Sequence, residues 1–541
     1  MKTKRFLKYL YLLVTVTLLG LMGTGIAPAP VSAASPVPPN EVVFTYGGVE
    51  TTATMDPAKH SDENTSFIVQ NLYDPLLYPV RGGMPKPHLA ESWTVSPDGR
   101  TYTFKLKKGV KFHDGTEMTA ADVAFSMDRV IRMGKGFAWL WKGILPEGNS
   151  KALDPYTVEF KLSKPHSPFL ASMVQLLPVN KKLLMANKKD GPYGEFGDYG
   201  ENYLNKIDAG QGAYKIEVYK PGEIIVFRKF DGYWRGWKPN QVDKAIFRFV
   251  PEQATIKLMI QKGELDMTSQ WLDPVIFGEL KKSPGVVVQE DPNVQLFFVT
   301  LNAQKPPLDN VDVRRAISYA FDYDAANKNI FLGSAQAVGS VPVLLTGHND
   351  KTPVYKRDVA KAKELLSKAG VKTGTKLTYV SNSGVETTRR IGLLLQSNLK
   401  EIGFEVEMQE LPWARLVESV GKPETAPHMT SMFHTAKYPS PDSHTFLMFH
   451  PDAWGTYMSS SYYKNDQASK LMEQARSQAD PGMSLELYKQ VQPIFVDEAA
   501  ALFVSNPVHR IAHRDWVKGY VFYGIMGFDF SWYSLTIEKR K

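Results

Sequence analysis

Apolar and polar residues alternate along much of this chain, and the alternation changes period several times. "EVVFTYGG" has the two-residue period of a strand. "NTSFIVQNLYDPLLYPV" has the 3.6-residue period of a helix, predicted to stop at Pro75 and run into an apolar strand. In "RTYTFKLKKGVKFHDG", Tyr102, Phe104 and Leu106, then Val110 and Phe112, predict two half-buried strands around a glycine turn. "TAADVAFSMDRVI" predicts an amphipathic helix with Thr119 as its N-cap, and "YTVEFKLSKP" returns to strand alternation.

From about residue 209 the register changes. "AYKIEVYKPGEIIVFRKF" predicts a hairpin around Pro221 and Gly222, and "KAIFRFVP" a further strand. "EQATIKLMIQKGELDM" predicts a helix stopped at Gly263 and then a short strand. "LFFVTLN" leads to one long helix, "VDVRRAISYAFDYDAANKNI". "DVAKAKELLSKAG" predicts a helix capped by Asp358 and ended at Gly370. "KLTYVSNSG", "VETTRRIGLLLQSNLKEIG" and "FEVEMQEL" form a strand, a crossover helix and a parallel strand. Two more helices follow, the second carrying Pro493 as a predicted kink, and the chain closes in strands. The pattern is α/β with mixed sheets and no internal repeat.

The amino terminus follows another pattern. Lys2, Lys4, Arg5 and Lys8 precede an uncharged apolar run over residues 9–22, and "APAPVSA" supplies small residues at Val31 and Ala33. This predicts a secretory signal over residues 1–33, cleaved before Ala34. The run is shorter than the roughly twenty residues needed to span a bilayer. Removing its four basic residues halves the formal net charge of +8, and no later basic block has the form of a nucleic-acid-binding arm. The sequence has no cysteine. That excludes disulfides, zinc–thiolate sites, cysteine nucleophiles and lipid attachment at an N-terminal cysteine, so a soluble periplasmic protein is expected.

Several phrases together resemble one family: "PKPHLAESWTVSPDGRTYTFKLKKGVKFHDGTEMTAADVAFSMDRV", "GAYKIEVYKPGEIIVFRKFDGYWRGWKP", "IQKGELDM", "TLNAQKPPLDNVDVRRAISYAFD" and "YPSPDSHTFL". They are similar, in order and spacing, to the solute-binding proteins of ABC importers for peptides, nickel and related solutes, over about residues 41–525. The resemblance implies a two-lobed periplasmic-binding-protein fold with an extra domain inserted in the first lobe. It places the first lobe in 41–75, 209–291 and 506–541, the inserted domain in 76–208 and the second lobe in 292–505. The connections between lobes are expected near "VQLFFVTLN" and "FVSNPVH". It implies a monomer that closes on a solute and passes it to an inner-membrane ABC permease, with no catalysis and no cofactor.

Candidate site residues are weighed against simpler roles. His113, Asp114 and Gly115 offer a His–Asp pair, but Asp and Gly are ordinary turn formers, so a structural turn is expected. His428, His434, His444 and His450 lack the spacing of a metal site. Trp93 and Trp234 are expected to pack. Trp271 and Trp413 follow strand ends, where α/β sheets present ligands, and are expected in a pocket wall. In "MFHTAKYPSPDS" an apolar strand runs into a Pro-rich loop. Phe433, His434, Lys437, Tyr438 and Asp442 are the ligand-binding candidates there. The resemblance adds that peptide-binding members commonly carry an aspartate, pairing with the ligand's α-amino group, where this chain has Lys437. Two readings follow: Lys437 swings into solvent, or it faces the cleft, paired with a ligand oxygen or with Asp442. The second disfavours ordinary peptides and favours acidic or modified peptides or oligosaccharides. A secreted hydrolase is the alternative, without a GxSxG, HExxH or P-loop motif to carry it. A chaperone-like binder of unfolded segments is another.

Overall fold

The computed structural model describes residues 41–49, 52, 54–528 and 530–540. The secretory-signal reading falls outside the described residues. Two mixed sheets form the frame. A seven-stranded sheet has the order Val286–Asp291, His509–Arg514, Met267–Thr268, Val43–Gly48, Lys244–Phe249, Ile224–Lys229 and Tyr214–Lys220. A five-stranded sheet has the order Phe404–Leu411, Thr375–Asn382, Met429–Thr435, Gln295–Leu301 and Ala501–Ser505. Each anchors one lobe. The chain passes between them twice, over residues 292–294 and 506–508, so both connections are short and lie side by side.

Each sheet follows from its pattern. Every residue of Gln295–Leu301 is buried, as expected for an apolar run on an interior strand of a sheet covered on both faces. The strand–helix–strand unit forms as predicted: Thr375–Asn382 and Phe404–Leu411 pair in parallel across the helix Glu386–Glu401. In the first lobe Tyr214–Lys220 and Ile224–Lys229 form the predicted antiparallel hairpin, with Gly222 at φ +75° in its turn.

The inserted domain carries a four-stranded antiparallel sheet, Ala90–Val95, Thr101–Leu106, Thr157–Lys161 and Ser150–Asp154. Against it packs the helix Ala120–Met133, where the Asp122 carboxylate accepts from the Thr119 backbone N–H at 2.9 Å and Gly134 closes the end in a left-handed conformation.

Two elements depart from the expectation. Residues 107–115 do not form a second strand. Val110 and Phe112 are buried, but Met118 donates to the Val110 carbonyl and Phe112 to that of Thr116, which folds the stretch into a tight loop. The helix beginning at Val311 ends at Ala320. Asp322 then caps a new turn by accepting from the Ala325 N–H at 2.8 Å, and this local bond competes with continuation of the helix.

Candidate functional site

The facing edges of the two lobes border a cavity of about 70 Å³, lined mostly by apolar and aromatic side chains with a few polar groups, the make-up of a small-ligand site. Asp62, Glu63, Trp271 and Met526 line it from the first lobe. Asn382, Val385, Thr388, Trp413, Ser431, Met432, Phe433, Thr435 and Tyr457 line it from the second. The sheets explain the location. Asn382 ends one strand of the second lobe, Trp413 follows the end of its parallel neighbour, and Trp271 follows the short strand Met267–Thr268. Carboxyl ends of parallel strands are where open α/β sheets hold ligands.

The walls are aromatic. Trp271 and Phe433 meet edge to face with ring centres 5.4 Å apart, and Trp413 and Tyr457 do so at 5.0 Å. The polar groups are few. Among the described residues the Trp271 indole N–H and the Asn382 side-chain oxygen are buried without a hydrogen-bond partner. Asp62 caps the helix Glu63–Leu72, accepting from Thr65 N–H at 2.9 Å, and Glu63 Oε1 accepts from the Gly527 N–H at 3.3 Å. Burial pushes the Asp62 carboxyl above its ordinary range.

Lys437 lies just behind this wall. Its residue is 1% exposed, which removes the solvent reading. The backbone is pinned from both lobes: its N–H donates to Ser443 Oγ at 2.9 Å, and its carbonyl accepts from Gln175 Nε2 of the inserted domain at 2.6 Å. Beside it, Met526 N–H donates to the Ala436 carbonyl at 2.9 Å. The ammonium has no hydrogen-bond partner among the described residues. Nζ lies 5.6 Å from the centre of the Tyr457 ring. Burial pushes its pKa down to about 8, opposed by the nearby carboxylates of Glu63 and Asp62.

Asp442 corrects the expected pairing. It is wholly buried and spends both oxygens inside the second lobe, accepting from Arg476 at 2.9 and 3.0 Å, from Tyr488 Oη at 2.6 Å and from Tyr438 Oη. Burial alone would raise its pKa, but the Arg476 guanidinium holds the carboxyl below the ordinary range. Tyr438 is thereby turned away from the cavity as well. His434 is equally inward, its Nε2 donating to the Ser443 carbonyl at 2.6 Å and its ring against that of His444 at 4.5 Å. His428 instead accepts from Thr378 N–H, and His450 stacks on Phe446. Among the described residues no cluster of three or more His, Cys, Asp or Glu is placed to hold a metal.

His113 sits in the tight loop with its Nδ1 against the Asp208 carboxylate and its Nε2 donating to the Gly212 carbonyl at 3.0 Å. The His113–Gly212 bond ties the inserted domain to the first lobe, and neither His113 nor Asp208 lines the cavity.

Of the sequence candidates, the structure thus brings Trp271, Trp413 and Phe433 to the wall and Lys437 behind it. Asp62, Glu63, Asn382 and Tyr457 were missed. Asn382 had a signal, since "YVSNSG" ends a strand before a helix. Asp62 and Glu63 read only as a helix start, and nothing in the sequence aligns that start with a lobe more than three hundred residues away.

Comparison with known proteins agrees with this architecture. The family model of bacterial extracellular solute-binding proteins, family 5, matches residues 84–496. The dipeptide-binding protein of Escherichia coli K12 is 31% identical over 461 residues, covering 80% of this chain and 83% of its own length. The glutathione-binding protein GsiB of the same organism is 29% identical over 524 residues, covering 94% and 97%. Among solved structures, the ABC transporter-associated periplasmic binding protein DppA from Helicobacter pylori, in complex with the peptide STSA, superimposes with a TM-score of 0.81 at 28% identity, covering 92% of this chain and 98% of that one. These relatives are solute-binding proteins by name. The two lobes joined by paired connections, the cavity between them and the match over most of the chain have one conclusion: this protein belongs to family 5 of the extracellular solute-binding proteins.

Proposed function

We propose that this protein is the exported receptor of an ABC importer, capturing a peptide-like solute between its lobes in the periplasm and delivering it to an inner-membrane permease. The observation that carries this reading is the cavity itself. Residues from both lobes line it, and among the described residues two short connections, over 292–294 and 506–508, join the lobes covalently. A ligand touching both walls favours the closed arrangement by the difference in its contacts between open and closed states. Trp271, Phe433, Trp413 and Tyr457 supply apolar surface, and Lys437, Asp62, Glu63 and Asn382 supply the polar selection.

Relatives that bind a dipeptide, glutathione or a tetrapeptide make peptide-like solutes the first class to test. Calorimetry of the purified protein against peptides of two to five residues, with oligosaccharides as a second panel, is the experiment. One-to-one binding of a peptide or modified peptide is expected, with no turnover. Saturation at a hundredfold excess over Kd then stabilises the fold by about 2.7 kcal/mol. Binding confined to oligosaccharides, or slow consumption of the ligand, overturns the reading.

A further inference from the structure

The polar end of the cavity holds charges of both signs. Asp62 and Glu63 stand in its wall at the start of the helix Glu63–Leu72. Lys437 lies behind it, close enough to both carboxylates to interact with them, and its Nζ is buried with no hydrogen-bond partner among the described residues. Its neighbour Tyr457 is also in the wall, and Thr435, two residues earlier, is another lining residue. The hydrogen bonds of the Lys437 backbone N–H and carbonyl fix where the side chain leaves the loop. An ammonium in this position is a donor waiting for an oxygen.

Three kinds of ligand end are distinguishable by charge. A lone ammonium, the end of an ordinary peptide, suits Asp62 and Glu63 but faces a second cation and leaves Nζ unpaired. A lone carboxylate pairs with Nζ but adds a third negative group to the two in the wall. An end with an ammonium and a carboxylate on the same carbon satisfies both: the carboxylate accepts from Lys437 Nζ, and the ammonium donates toward Asp62 and Glu63. We propose that this site selects solutes presenting a free α-amino-acid head group, as in a peptide joined through a side-chain carboxyl, with Lys437 as the residue that selects for it. This rests on the reading of the protein as a peptide-like solute receptor.

The test is calorimetry with two isomers of equal mass, γ-L-glutamyl-L-leucine and α-L-glutamyl-L-leucine. The γ isomer carries both charges on one carbon, and the α isomer has its α-carboxyl in the peptide bond. The intact protein is expected to bind the γ isomer at least tenfold more tightly. Lys437→Met keeps the length and apolar stem of the side chain, and is expected to abolish that preference while an unchanged circular dichroism spectrum shows the fold retained. Equal affinity for the isomers, or preference for the α isomer, overturns the proposal. So does a γ preference that survives Lys437→Met, which would mean that Lys437 is not the selecting residue. If neither isomer binds but another peptide does, the head-group proposal falls and the receptor reading stands. If no peptide binds, both fall.

Discussion

A lysine ammonium taken out of water loses hydration that a protein must replace or forgo. At Lys437 the replacement is incomplete: two carboxylates across the lobe boundary and an aromatic face, but no hydrogen-bond acceptor among the described residues. Its pKa of about 8 in the folded chain, against 10.5 when free, has a definite sign. Between these values the unfolded chain binds more protons than the folded one, so this group adds stability as pH rises and withholds it at neutral pH. The groups facing it do not mask the effect. His434 and His444 are buried and held neutral far below this range, and Tyr457 is pushed above it. Wild-type protein is therefore expected to gain roughly 2–3 kcal/mol relative to Lys437→Met between pH 7 and pH 10, measured by denaturant unfolding without ligand. Parallel pH profiles for the two proteins would show the ammonium to be satisfied.

At the scale of elements, the turn from the strand Met429–Thr435 into the helices beyond it is held by one buried carboxylate. Asp442 accepts from Arg476 and from two tyrosines, joining this loop to the helices Asp466–Arg476 and Pro481–Asp497. Arg476→Met strands that carboxylate, and a loss of about 3–5 kcal/mol in unfolding free energy is expected. The Asp442 pKa is depressed, so its contribution is present above the ordinary carboxylate range and is lost as pH falls below that range through the lower folded value. The deficit of Arg476→Met should accordingly shrink in acid, and a deficit constant from pH 7 to pH 3 would contradict the assignment. Much at this scale was legible beforehand. The 3.6-residue period, the caps at Thr119 and Asp358 and the crossover unit around 386–401 are local signals, and local chemistry decides them. The break at Phe321 was not, because the apolar period runs straight through it and a single capping aspartate ends the helix. Asp442 was misplaced for a different reason. Spacing puts it near Lys437, but its partners Arg476 and Tyr488 are distant in sequence, and only packing makes it an internal anchor.

At the scale of the whole molecule, the lobes touch at several separate places, one of them the Arg390–Asp273 ion pair at 3.4 Å. Met526 and Gln175 hold residues 436–437, Ser167 reaches the carbonyls of Ala475 and Arg476, and at the other side Gln253 bonds the Gly384 carbonyl at 3.0 Å. Such small polar contacts are replaceable by water, so the closed arrangement depends on what the cavity contains. Ligand-free protein in solution is expected to have a larger radius of gyration than the saturated protein, read by small-angle scattering; identical profiles would argue against a hinge. The two-lobed plan was legible because the family phrases run along nearly the entire chain. The nearness of Asp62 and Glu63 to Lys437 was not, since it exists only when the lobes meet.

Amide hydrogen exchange with and without a saturating peptide tests the central claim most directly. Capture between the lobes predicts protection on both walls at once: around residues 62–63, 271 and 526 of the first lobe, and around 382–388, 413, 431–435 and 457 of the second. Protection confined to one lobe, or appearing away from these segments, would contradict it.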